Sequence, residues 1–257
     1  MFPIIDAYNS EAILDNLKTH SALFLYNKTL AELGKKIYDA SQAVFAAGNL
    51  PELETKTMFP TKIATLPGVE RQVIQRRIYG DNNHYSDQLD HDMNLISLSL
   101  DLLSSSLLLH MTKEYSWDRA TLEKLTDPTE WVLNIANYPF QENKQGQILF
   151  PAHKDWGMMA IYPHINGGGL EVYTDNQWQS VVVPNNCLFF YGGDILSKLT
   201  GGEIKPLLHR VVQPDNQVGS RTSIIFYVDP VRSMVLPDGQ VVGDIMDAKL
   251  RKIGQIK

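Results

Sequence analysis

Apolar residues recur along this chain with two different periods, and the period changes near residue 131. Before that point the spacing is helical. Ser10 can cap a short helix from Glu11 to about Thr19, and Thr29 a longer one in which Leu30, Leu33, Ile37 and Val44 share a face. The clearest stripe runs from Asp87 to Glu114, where Leu89, Met93, Ile96, Leu100, Leu103 and Leu107 alternate by four and three residues. Such a stripe predicts a helix packed across the outside of a sheet. Val73 to Tyr79 reads as an isolated strand, with Arg76 and Arg77 alternating on it. From Trp131 onward, β-branched and aromatic runs near 131–138, 148–153, 158–162, 170–174, 178–183, 187–191, 207–212 and 221–228 are broken by Gly, Pro and Asn. Eight short strands of this kind predict a jelly roll, a mainly β fold with supporting helices. The expected organisation is one domain over 1–257: mostly helical support over 1–130, the β core over 131–230 and a C-terminal extension over 231–257 with one short helix. Gly167, Gly168 and Gly169 read as a turn that needs positive φ angles.

Composition narrows the class. The 257 residues are 44% hydrophobic, enough for a substantial core, and the formal net charge of −6 leaves no basic footprint for a nucleic acid. No uninterrupted apolar run reaches the roughly 18 residues of a membrane span, and no basic region followed by an apolar stretch opens the chain. A cytoplasmic location without membrane or nucleic-acid partners is therefore the expectation. The pattern neither requires nor excludes an oligomer. Cys187 is the one cysteine and lies in an apolar run, so it reads as a small buried hydrophobe.

The chemistry begins at His153-Lys154-Asp155. On an extended strand residues i and i+2 share a face, so His153 and Asp155 can grip one ion together. Imidazole with carboxylate suits a divalent first-row metal, and a set of three ligands leaves positions open for exchangeable molecules. The helical His-Glu-x-x-His of many zinc hydrolases is absent. His91-Asp92, with His84 and Asp101 nearby, is formally a metal-phosphohydrolase pair, but it lies off the apolar stripe of its helix and reads as a solvated face.

The surrounding residues carry a resemblance. His153-Lys-Asp-Trp-Gly157, Gly168-Gly-Leu-Glu-Val172, Trp178, Val183-Pro184, Gly193-Asp-Ile-Leu196, Lys205-Pro-Leu-Leu-His-Arg-Val-Val212 and Arg221-Thr-Ser223 occur in one order. In that order the chain resembles the isopenicillin N synthase-like family of Fe(II)/2-oxoglutarate dioxygenases, densely from about Tyr138 to Pro230. The resemblance implies His153, Asp155 and His209 as catalytic metal ligands. It implies Arg221 and Ser223, with Tyr138, as the anchor for the distal carboxylate of 2-oxoglutarate. Asn137 is one position off the family's Asn-x-Tyr-Pro pattern, which turns it to the other strand face. Gly201 and Pro206 replace the family's usual Asn and Ser. The implied cofactors are Fe(II), 2-oxoglutarate and dioxygen, and the implied reaction is hydroxylation of an unactivated C–H bond of a small molecule, with release of succinate and carbon dioxide. A carboxylate at 155 favours hydroxylation, desaturation or ring formation over halogenation. Trp156, Met158, Met159, Phe226 and Val228 are candidate substrate-lining residues, and Arg76 or Arg77 a candidate contact to an acidic group. Three alternatives stay open: a same-fold Fe(II) oxidase that does not consume 2-oxoglutarate, a non-catalytic metal-binding jelly roll, and a zinc hydrolase on the same triad.

Overall fold

A computed structural model describes residues 2–48, 50, 69–78, 83–140, 146–214 and 219–252. Tyr79 of the expected strand and residues 253–257 of the expected C-terminal segment lie outside them.

The first three helices start at asparagine and serine caps. Helix α1 (Ser10–His20) is capped by Asn9, whose side chain accepts from the Ala12 amide, so the cap is one residue earlier than Ser10. Helix α2 (Lys28–Ala47) is capped by Asn27 rather than Thr29. In both cases the carboxamide oxygen satisfies an amide that has no partner within the helix. Helix α3 (Asp87–Glu114) follows Ser86 and ends where the stripe ends. Two further helices are α4 (Arg119–Thr126), which the apolar pattern did not indicate, and α5 (Asp194–Leu199). Last comes α6 (Val242–Lys252).

The strands are β1 (Ile4–Asp6), β2 (Ala22–Tyr26), β3 (Gln72–Arg77), β4 (Val132–Tyr138), β5 (Ile148–His153), β6 (Met159–Asn166), β7 (Leu170–Thr174), β8 (Gln177–Ser180), β9 (Cys187–Gly192), β10 (His209–Val212) and β11 (Arg221–Val228). They form a seven-stranded sheet, β1-β2-β9-β6-β11-β4-β3, and a four-stranded sheet, β5-β10-β7-β8. The fold is a jelly roll. Strands of the N-terminal 130 residues join the large sheet, β1 and β2 at one edge and β3 at the other.

Alternation along the strands of the large sheet separates two cores. Leu133, Ile135, Ile161, Leu188, Phe190, Ile224, Phe226 and Val228 pack toward the helices, together with the buried stripe of α3. Ala136, Tyr138, Ala160, Tyr162, Phe189, Tyr191 and Ile225 pack toward the small sheet, against Leu149, Leu170, Val172 and Val211. Each large apolar side chain among them contributes roughly 1.5–3 kcal/mol by leaving water. Helix α2 lies so close to β6 that a Cβ at Gly34 would sit 2.9 Å from Pro163, which is why that position carries none. Helix α3 is long and apolar enough to cross a membrane by length and composition alone. Leu89, Met93, Ile96, Leu100, Leu103 and Leu107 are committed to the protein core instead.

Candidate metal centre

His153 ends β5 and His209 opens β10, and the antiparallel pairing of these strands places the two directly opposite one another. Their rings lie 4.1 Å apart between centroids. Asp155 follows two residues after His153, with one carboxylate oxygen 3.4 Å from His153 Nε2 and 3.9 Å from His209 Nε2. One potential ligand atom from each of the three lies within 4.8 Å of the others. The far nitrogens are held by the main chain: His153 Nδ1 faces the Pro151 carbonyl at 2.8 Å and His209 Nδ1 the Leu207 carbonyl at 3.2 Å. A carbonyl only accepts, so both Nδ1 atoms carry the proton and both Nε2 lone pairs are free for a metal.

Electrostatics sets the same protonation states. Burial alone would raise the Asp155 carboxyl, but the His209 and His153 imidazoles and the Tyr191 hydroxyl outweigh it and hold it at about 2. Burial, helped by the neighbouring His153, brings His209 down to about 4. At neutral pH the carboxylate is ionised and His209 neutral, the forms that ligate. Tyr191 donates to the second Asp155 oxygen at 2.7 Å and lies 3.2 Å from His209 Nε2, with Tyr162 behind it at 3.0 Å. Burial, reinforced by the Asp155 charge, raises both phenols, so they remain hydrogen-bond donors.

The glycine-rich motifs hold this loop in place. The Gly193 amide donates to the Met158 carbonyl, Asp194 to Asp155 and Ile195 to Trp156 and Gly157. The first turn of α5 thus uses its otherwise free amides on the loop that carries Asp155. A Cβ at Gly193 would sit 2.4 Å from the Gly157 carbonyl oxygen, and one at Gly157 would sit 1.8 Å from an Asp229 carboxylate oxygen. The Gly167–Gly169 turn has positive φ throughout, as its sequence predicted, and the Gly168 carbonyl accepts from Arg221 Nε at 2.9 Å.

Arg221 and Ser223 lie on one face of β11 and enter the same narrow pocket as His153 and His209. Both are 1% exposed, and Arg221 Nη2 and Ser223 Oγ have no hydrogen-bond partner among the described residues. Tyr138 opposes Arg221 across the β4–β11 ladder, its ring 5.5 Å from the guanidinium carbon. The donor set fits the implied groups. Two imidazoles and a carboxylate suit ferrous iron, and a buried guanidinium beside a free hydroxyl suits a carboxylate guest.

Residues 130–230 match the family model described as the 2OG-Fe(II) oxygenase superfamily. That segment, which carries the site, is similar to the superfamily. A probable flavonol synthase of Arabidopsis thaliana is 30% identical to this chain over 138 residues, covering 52% of the chain and 45% of the relative. The chain thus matches under half the length of that curated relative. Among solved structures, a Shewanella oneidensis protein provisionally described as an oxygenase superposes with a TM-score of 0.78 at 21% identity, covering 100% of this chain and 99% of the other. A full-length Neurospora crassa protein in complex with alpha-KG superposes at 0.74 with 19% identity, covering 97% and 96%. At these identities the two structures establish the shared fold alone.

The other candidates fall elsewhere. Phe226 faces the helices, edge-on to Trp131 at 6.0 Å, and Met158, Met159 and Val228 join the same core, so none lines the pocket. Trp156 is half-buried against that core. Arg76 is buried but turned to α3, where it pairs with Asp90 at 2.6 Å and with Asn94, while Arg77 pairs with Glu130. Asn137 lies off the pocket, accepting from Thr222 and donating to Gln72, as its one-residue shift implied. Asp92 is buried, not solvated, and bonded by Gln88. Cys187 is buried as expected, and burial raises its thiol. The lining side chains that the sequence did not reveal are Ile225 and Tyr227, with Tyr162, Phe150 and Arg71. Ile225 and Tyr227 were within reach, because they continue the i, i+2 series of Arg221 and Ser223.

Proposed function

We propose that the protein is an Fe(II)- and 2-oxoglutarate-dependent oxygenase that hydroxylates an unactivated C–H bond of a small molecule. The observation that carries this reading is a cluster of potential metal ligands, His153, Asp155 and His209, at a pocket that also holds the buried Arg221–Ser223 pair, whose Nη2 and Oγ have no hydrogen-bond partner among the described residues. A silent metal-binding descendant or a zinc hydrolase has no physical need for that pair. His153, Asp155 and His209 would hold the iron, and Arg221, Ser223 and Tyr138 the distal carboxylate of 2-oxoglutarate. Iron with 2-oxoglutarate and dioxygen supplies the oxidising power for C–H hydroxylation and releases succinate and carbon dioxide.

The chain's own residues do the placing. Arg221, its Nε fixed by the Gly168 carbonyl, presents the rest of its fork to a carboxylate, and Ser223 donates beside it. Tyr191 keeps one Asp155 oxygen engaged, which turns the other toward the two imidazoles. Phe150, Val211, Ile225 and Tyr162 wall the pocket and would hold reactants in register.

Succinate formed under air, dependent on added 2-oxoglutarate and Fe(II), tests the assignment. Anaerobic addition of 2-oxoglutarate to the Fe(II) protein should give a weak visible charge-transfer band, absent in Arg221→Ala. Substrate oxidation with no succinate would move the protein to the Fe(II) oxidases that do not consume 2-oxoglutarate.

A further inference from the structure

The pocket contains a second buried guanidinium that this reading leaves without a role. Gln72 opposes Asn137 in the β3–β4 ladder, which sets Arg71, the residue before β3, against Tyr138. Tyr138 in turn opposes Arg221 on β11. Arg71, Tyr138 and Arg221 thus form one row across three strands, on the face turned to the small sheet. The Arg71 guanidinium carbon lies 5.8 Å from the Tyr138 ring and 5.2 Å from the Phe150 ring, and Phe150 itself packs on His153 with ring centroids 4.6 Å apart. Arg71 is 6% exposed, its Nε has no hydrogen-bond partner, and no carboxylate pairs with it among the described residues. This separates it from Arg76, Arg77, Arg119, Arg210 and Arg232, each of which pairs with an acid.

A buried cation without a partner is costly, so the group that completes it is to be sought in the ligand. Charge balance says which ligand. With the site loaded as proposed above, ferrous iron and Arg221 bring three positive charges, and Asp155 and 2-oxoglutarate bring three negative ones. Those groups cancel, and Arg71 is left over in the pocket that His153 and His209 also line. We propose that Arg71 binds a carboxylate of the primary substrate, so that the molecule oxidised is a monoanionic organic acid whose apolar part lies along Phe150. The inference rests on the oxygenase reading and adds the substrate class to it.

Anaerobic calorimetry on the Mn(II)-loaded protein saturated with 2-oxoglutarate tests this without turnover. The probes are phenylacetate and hexanoate against phenylacetamide and hexanamide. The acids should bind about tenfold or more tighter than the amides, the worth of a charge-assisted hydrogen bond. Arg71→Gln should bring acids and amides to within about twofold of each other while leaving 2-oxoglutarate affinity within about twofold of the parent, and Arg71→Lys should retain a weaker preference for acids, each variant being checked for an unchanged melting temperature. Equal affinity for acids and amides in the parent, including no binding of either, overturns the proposal. So does an Arg71→Gln protein that loses 2-oxoglutarate as Arg221→Gln does, which would make Arg71 a second clamp on the co-substrate. A parent protein that binds neither Mn(II) nor 2-oxoglutarate would remove the oxygenase reading first, and this proposal with it.

Discussion

Single atoms at Asp155 decide how well the site is organised. One carboxylate oxygen faces both imidazoles and the other accepts from the Tyr191 hydroxyl, a bond that a Phe could not make. Tyr191→Phe should therefore keep the fold and weaken metal binding about ten- to a hundredfold, read by anaerobic Fe(II) titration, because an outer partner of a ligand is lost. His153 and Asp155 were suggested by their i, i+2 spacing, whereas His209, Arg221 and Ser223 entered as what the family resemblance implies, and the structure gathers all five about one site. Phe226 was misplaced by one residue of parity: Ile225 and Tyr227 share the Arg221 face, whereas Phe226 belongs with Trp131. Arg71 carried no local signal at all, because its meaning comes from Tyr138 and Phe150, which are distant in sequence.

Among the elements, α5 has an effect beyond its six residues, since its first amides bind the carbonyls of the Asp155 loop. Gly193→Ala would put a methyl 2.4 Å from the Gly157 carbonyl oxygen, a backbone atom that cannot swing away. A loss of about 1–3 kcal/mol is expected, seen as a lower melting temperature, together with weaker metal affinity as the loop shifts. Asn27→Ala, far from the metal, should cost about 1 kcal/mol by chemical denaturation through loss of the α2 cap and should leave metal affinity unchanged. The span of α3 was readable because its stripe is long and regular. The caps of α1 and α2 were missed by one and two residues because neighbouring Ser, Thr and Asn all satisfy the same rule, and only the backbone turn selects among them.

At the scale of the whole molecule, two sheets and a helical layer enclose Asp229, a buried acid that forms no ion pair among the described residues. Burial raises the Asp229 carboxyl to about 7, with the Asp155 charge adding to the effect. The folded metal-free protein thus keeps a proton that the unfolded chain, with an ordinary aspartate, has already released above about 4. Folding stability from this group should fall as pH rises from about 4 to 7 and level off above, and Asp229→Asn should flatten that slope in denaturant titrations of the apo protein.

The sequence by itself determined most of the elements, though not α4, together with the jelly-roll class and the side-chain types at the site, because periodicity and side-chain chemistry are local properties. Which face of each strand meets the helices and which meets the pocket was decided only by the packing of one sheet against the other. That packing turned Phe226 and Arg76 away from the chemistry and brought Arg71 to it, since a side chain's neighbours across a sheet come from strands whose order the chain does not spell out.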